Sequence, residues 1–184
     1  NNLETYFKVA TWSSPIVVIF LLILSAFFSG SETALTASSR PKLRSMSDRG
    51  SVGAKKALDI TNDNESLIGT ILLGNNIVNI LATSLATAYF VKLFGDKGIF
   101  LATFCMTVLI LVFSELLPKT YAINNPETAA RRVAPLVLFF IYIFSPIIIF
   151  VRKFVQLLLS LIGLKIDPSK QILASDEIAG AIAL

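Results

Sequence analysis

The chain has 184 residues, of which 54% are hydrophobic and 15% charged, and its mean hydropathy is +0.74. That balance excludes an ordinary soluble domain, which carries about a quarter charged residues. A net charge of +4 is too small to mark a nucleic-acid binder, the chain has no histidine, and the single Cys105 builds neither an intrachain disulfide nor a thiolate metal centre.

Several apolar runs approach the roughly 20 residues that span hydrocarbon. No strand-like alternation accompanies them, so the expected fold is an all-α integral membrane domain, in which helices satisfy their own backbone groups. Residues 1–8 are short and polar. Residues 9–39 form the first helical segment, with an apolar core at 15–28, Trp12 as an interfacial anchor and Pro15 near a tolerant first turn. No basic cluster precedes this segment and no clean cleavage site follows it, so it is not read as a cleaved signal peptide. Its far half, SGSETALTASS, is small and polar and suits close helix packing or a water-lined cavity.

Residues 40–65 carry Arg40, Lys42, Arg44, Arg49, Lys55 and Lys56. Gly50 and Gly53 divide this loop into two short helices lying at the membrane surface. Its basic surplus makes it cytoplasmic and places the N-terminus outside. Residues 66–94 form the second span, with Asn62 or Asp63 as its cap. The near-neutral turn Phe94-Gly95-Asp96-Lys97-Gly98 reads as an external hairpin. Residues 98–123 form the third span, followed by the cytoplasmic flank Glu127, Arg131 and Arg132.

Residues 133–164 leave two readings. Pro135, Pro146 and the Arg152-Lys153 pair interrupt the apolar pattern. The favoured reading is a juxtamembrane belt helix on the cytoplasmic side; the alternative is a fourth crossing. The expected organisation is a membrane domain over 1–165 and the start of a linker over 166–184, where SDEIAGAIAL begins an amphipathic helix of a longer protein.

The functional signal lies in polar residues inside the apolar runs. Glu115 interrupts GIFLATFCMTVLILVFSELLPKTYA, and an intramembrane carboxylate calls for a cation, a proton or a polar cavity. Ser25 and Ser29 share one helix face, as do Asn75 and Asn79, with Asn76 between them. Pro118 cannot donate to the carbonyl of Ser114. Gly74 permits either close helix approach or a local break that exposes a carbonyl. Carboxylate, hydroxyl, amide and carbonyl oxygens together suit a hard cation such as magnesium, calcium or sodium. Pairing of Glu115 with Lys119, four residues on, is the structural alternative. Glu32 belongs to the cytoplasmic mouth or adds a second charge.

The strings FFSGSETALTASSR, LLGNNIVNILATSLAT and FSELLPKTYAINNPE resemble the membrane domain of the CorC and cyclin-M family of magnesium transporters, over about residues 10–165. The resemblance implies three spanning helices, a cytoplasmic helical pair, a belt helix and a homodimer. It also implies binding of dehydrated or partly dehydrated Mg2+ between the spans, linked to export, with Na+ as the exchanged ion. Its cation-site positions are Ser25, Ser29, Gly74, Asn75, Asn79, Ser114 and Glu115. The stretch Ser175-Asp176-Glu177 resembles the linker that leads to cytosolic CBS modules.

The leading expectation is therefore a magnesium carrier in the inner membrane, not an enzyme. A non-transporting magnesium sensor or scaffold is the second class. An intramembrane hydrolase using Ser29 or Ser31 with Glu115 is the weakest, because Lys119 is the only base near those groups. Small residues at Ala82, Ala86 and Ala88 mark a possible dimer face.

Overall fold

The computed structural model describes residues 2–164, and among them every regular element is helical. The expected linker over 166–184 lies outside the described residues, as does the side chain of Trp12. In chain order the helices are α1 (Asn2–Ala37), α2 (Arg40–Asp48), α3 (Val52–Asn62), α4 (Asn64–Phe94), α5 (Lys97–Leu109), a π-helical segment (Ile110–Leu116), α6 (Leu117–Asn124) and α7 (Pro126–Leu161). Among the described residues four stretches can cross a membrane by length and composition: Ser14–Ala37, Asn64–Phe94, Lys97–Asn124 and Pro126–Leu161.

The sequence explains the boundaries. Asp63 caps α4 by accepting the Ser66 backbone N–H at 3.1 Å. Ser51 caps α3 through the Ala54 N–H at 3.2 Å. Gly50 and Gly95 adopt φ of 95° and 64° in the turns after α2 and α4, values that suit glycine.

Gly53 departs from expectation. It does not break the helical pair but sits inside α3, where a Cβ would collide with the Arg131 carbonyl of α7. Pro135 explains that approach. It lies four residues beyond Arg131 and cannot supply the helical N–H to this carbonyl.

The prolines also fail to interrupt α7, which runs without a break through Pro135 and Pro146. Each removes one backbone bond, and the flanking turns keep the helix intact. The chain divides into two compact units between Phe144 and Ser145, so α1–α6 and the first half of α7 form one unit and the second half of α7 belongs to the other.

The core of the first unit combines small residues with a few large ones. Ala34, Ala57, Ala82, Ala130 and Ala134 are buried together with Phe28, Leu35, Leu43, Leu67 and Val137. Phe28 also packs at a tilt against Phe140 of α7, with ring centroids 4.9 Å apart. Ile16, Phe20, Ile23, Phe100 and Phe104 point outward, as expected of a surface solvated by lipid. The candidate dimer face needs correction: Ala82 and Ala86 are buried inside one chain, and of the three only Ala88 stays exposed. The same small side chains that favour contact between subunits are used here to pack the helices of a single copy.

A polar corner fixes the start of α7. The Ser39 backbone N–H donates to Glu127 Oε1 at 3.1 Å, Lys42 Nζ lies 3.8 Å from the same oxygen, and the Ser38 hydroxyl reaches the Pro126 carbonyl at 3.3 Å. The junction between α1 and α2 is thereby tied to the first turn of α7.

Candidate cation site

Three apolar helices each bring polar groups to one level. On α1 these are Ser25 and Ser29, both buried. On α4 they are Asn75 and Asn79, and on the third rod Ser114 and Glu115. The Ser25 hydroxyl donates to Asn75 Oδ1 at 2.7 Å, and the Ser29 hydroxyl donates to Glu115 Oε2 at 3.0 Å. Asn75 Nδ2 donates to Glu115 Oε1 at 3.1 Å, and Asn79 Nδ2 donates to Asn75 Oδ1 at 3.4 Å. Residues up to 90 positions apart in sequence thus share one connected network.

Ser114 takes a different part. Its hydroxyl, fully buried, donates to the Leu22 backbone carbonyl of α1 at 3.1 Å. Asn76 is exposed and faces away from the network.

Gly74 lies in an unbroken stretch of α4, so no helix break exposes its carbonyl. Close approach is the reading that fits. A Cβ there would stand 2.6 Å from the tip of the Phe28 ring, too near for any ordinary contact.

The backbone around Glu115 is unusual. Residues Ile110–Leu116 form a π-helix, and the Leu117 N–H reaches back five residues to the Val112 carbonyl. Such widened turns insert an extra residue into an α-helix and re-aim the side chains beyond it. Pro118 follows at once and leaves the Ser114 carbonyl without an N–H four residues on. Gly30 of α1 packs against Pro118, where an added Cβ would meet the Pro118 Cβ at 3.2 Å.

Lys119 also reaches the site, with Nζ 3.5 Å from Glu115 Oε2. Both Glu115 oxygens therefore accept from within the chain, one from Asn75 and one from Ser29 and Lys119. Among the described residues no three His, Cys, Asp or Glu side chains cluster as a metal group. The oxygens here are mostly neutral, with a single carboxylate. Each serine hydroxyl that donates keeps its lone pairs for another partner. A cleft of about 350 Å³ opens beside Glu115, walled by Thr83, Thr103, Met106 and Thr107.

Reading the sequence singled out the polar residues but not Phe28, Gly30 or the Leu22 carbonyl. Phe28 and Gly30 carried one available signal, since they flank Ser29 on a helix whose neighbours include Gly74 and Pro118. The Leu22 carbonyl carried none, because every residue presents one.

A family model for the cyclin M transmembrane N-terminal domain matches residues 16–184. A UPF0053 protein of Haemophilus influenzae is 38% identical over 168 residues, which cover 91% of this chain and 40% of that protein. The UPF0053 inner membrane protein YfjD of Escherichia coli is 37% identical over 144 residues, covering 78% of this chain and 34% of its own length. A polyamine export protein of Escherichia coli is 27% identical over 189 residues, covering 93% of this chain and 42% of its length. The chain thus spans less than half the length of these relatives. Its four apolar helices and its likeness to an inner membrane protein make it a multi-pass membrane protein.

Proposed function

The chain belongs to the cyclin M family of transmembrane domains, and from that premise we propose that it is the membrane part of a carrier that moves magnesium across the bilayer. One observation carries this reading: Glu115, inside an apolar span, is met by Ser29 and Asn75 from two other helices. Ser25, Ser29, Gly74, Asn75, Asn79, Ser114 and Glu115 make up the site. Glu115 supplies the charge, the hydroxyls and amides supply neutral oxygens, and Gly74 with Ser114 set how closely the helices approach.

The ion exchanges part of its water for these oxygens. Magnesium dehydrates reluctantly, and one carboxylate compensates only half of its charge. The site is thus weak enough to release what it binds, as a carrier requires. The working direction is export with sodium as the counter-ion, in a homodimer with three crossings per copy, α2 and α3 on the cytoplasmic side and α7 as a belt. Cytosolic CBS modules follow in the full-length protein. As a carrier the chain needs no covalent chemistry.

A second cargo is an organic polycation. The cleft beside Glu115 is lined by Met106, Ile110 and Leu111 together with three threonines and ends at a carboxylate, which suits methylenes and an ammonium group, and a relative is a polyamine export protein. Calorimetric titration with magnesium and with spermidine separates the two.

The decisive variant is Glu115→Gln. Magnesium binding falls below detection, and uptake into liposomes carrying the purified protein falls with it. Asn75→Ala weakens binding by about 1–3 kcal/mol, and Ser29→Ala lies near the lower end of that scale. A folded Glu115→Gln protein that keeps wild-type magnesium affinity makes Glu115 structural and overturns the site. Binding without any flux assigns the chain to the sensor class instead.

A further inference from the structure

Among the described residues three buried side-chain atoms have no hydrogen-bond partner: Ser31 Oγ, Thr70 Oγ1 and Asn79 Oδ1. Asn79 belongs to the cation site. The other two have no role there, although both are fully buried on α1 and α4. Helical hydroxyls normally satisfy themselves by donating to a carbonyl three or four residues back. Thr36, Ser38, Thr87, Thr103 and Thr107 all do so. Ser31 and Thr70 do not, and leaving a buried hydroxyl unpaired costs free energy unless another group meets it.

The register of α1 against α4 puts the two orphans together. The helices run antiparallel: Ser25 bonds to Asn75, and further along α1 the Phe28 ring abuts Gly74, one residue back along α4. Ser31 lies three residues beyond Phe28, and Thr70 lies four before Gly74. Each is therefore one turn further on and on the same side of its helix. The two hydroxyls fall at one level, separated from Ser25 and Asn75 by the Phe28 ring, toward the end that carries the basic α2 and α3.

We propose that Ser31 and Thr70 form a hydrated vestibule that receives the water shell of a divalent cation before or after its stay at Glu115. This rests on the carrier reading. An ion that sheds water reluctantly needs a neutral, hydroxyl-lined station next to the site where it is stripped. Hydroxyls both donate and accept, so they hold ordered water without trapping the charge. The Phe28 ring, against Gly74, stands between the two stations.

The test places cysteine at Ser31 and at Thr70 in full-length protein with Cys105 replaced by alanine, and at exposed Thr36 as a control. A small charged methanethiosulfonate reagent labels Ser31→Cys and Thr70→Cys, and magnesium slows that labelling. Thr70→Val, which removes an orphan hydroxyl at nearly constant shape, keeps or raises thermal stability. It also slows magnesium flux about tenfold, on the scale of roughly one hydrogen bond to an ion's water. If Thr36→Cys labels and neither buried position does, the vestibule is dry and the proposal falls. Labelling that magnesium does not slow, with Thr70→Val flux unchanged, also overturns it. Wild-type protein that neither binds nor moves magnesium overturns the carrier reading itself, a result seen without any variant.

Discussion

At the scale of single residues, Lys119 alters what Glu115 means. Its ammonium sits 3.5 Å from Glu115 Oε2, one helical turn on, and neutralises the carboxylate within the chain. On the carrier reading, a cation arriving at Glu115 displaces a tethered one. Lys119→Met therefore raises magnesium affinity, by roughly threefold to tenfold for a partly screened pair of this kind. Titration at low and at high ionic strength checks it, with the larger gain at low salt. Unchanged or weaker binding in Lys119→Met makes the lysine a support rather than a competitor. Gly74 gives a second prediction at this scale. The Cβ of Gly74→Ala meets a buried ring at 2.6 Å, and Phe28 is held by Phe140 behind it, so the helices must part. Overpacking of this kind costs about 1–3 kcal/mol. Thermal unfolding in detergent reads that loss, and Phe28→Leu in the same chain restores part of it.

Among the elements, the π segment Ile110–Leu116 has the largest consequence. Its extra residue sets the phase between α5, which packs on α4, and the turn that holds Glu115. Deleting exposed Val112 returns Ile110–Leu116 to a plain α-helix and removes the widened turn that re-aims Ser114 and Glu115. Magnesium binding is then lost while circular dichroism keeps its helical signal. Retained binding shows that the widened turn does not aim Glu115. The sequence announced this element only in part. Pro118 showed that the Ser114 carbonyl lacks a helical donor, but the same proline elsewhere produces a simple kink, and packing between Gly30 and Pro118 helps decide the outcome. Spacing made other features readable. Ser25 with Ser29 and Asn75 with Asn79 stand four apart in apolar runs, and Asp63 precedes α4 as a cap should. Gly53 misled because a second glycine three residues after Gly50 in a basic loop looks like a breaker; its role depends on Arg131, nearly 80 residues away, whose carbonyl Pro135 leaves without a donor.

For the whole molecule, apolarity and charge point to different numbers of crossings. Length and apolarity qualify four helices, including all of Pro126–Leu161. Charge favours three crossings, because Arg131, Arg132, Arg152 and Lys153 then stay on the side of the basic loop. Cysteine placed at Ser169 reacts with a membrane-impermeant reagent only from the cytoplasmic side; labelling from outside establishes a fourth crossing. The dimer face was not legible, since Ala82 and Ala86 looked available in sequence and turned out to be consumed within one copy. Small residues advertise close packing without saying which partner they pack against.

The corner where Ser38 and Ser39 hold Pro126 and Glu127 has a mechanical consequence. The helix that ends there carries Ser25 and Ser29, and the helix that begins there continues toward the C-terminal side of the chain. A shift of the first turn of α7 therefore acts through this joint on α1, about two and a half turns from Ser29, which faces Glu115. Movement at the start of α7 has a direct path to the α1 face that meets Glu115, and the joint is where that path is cut.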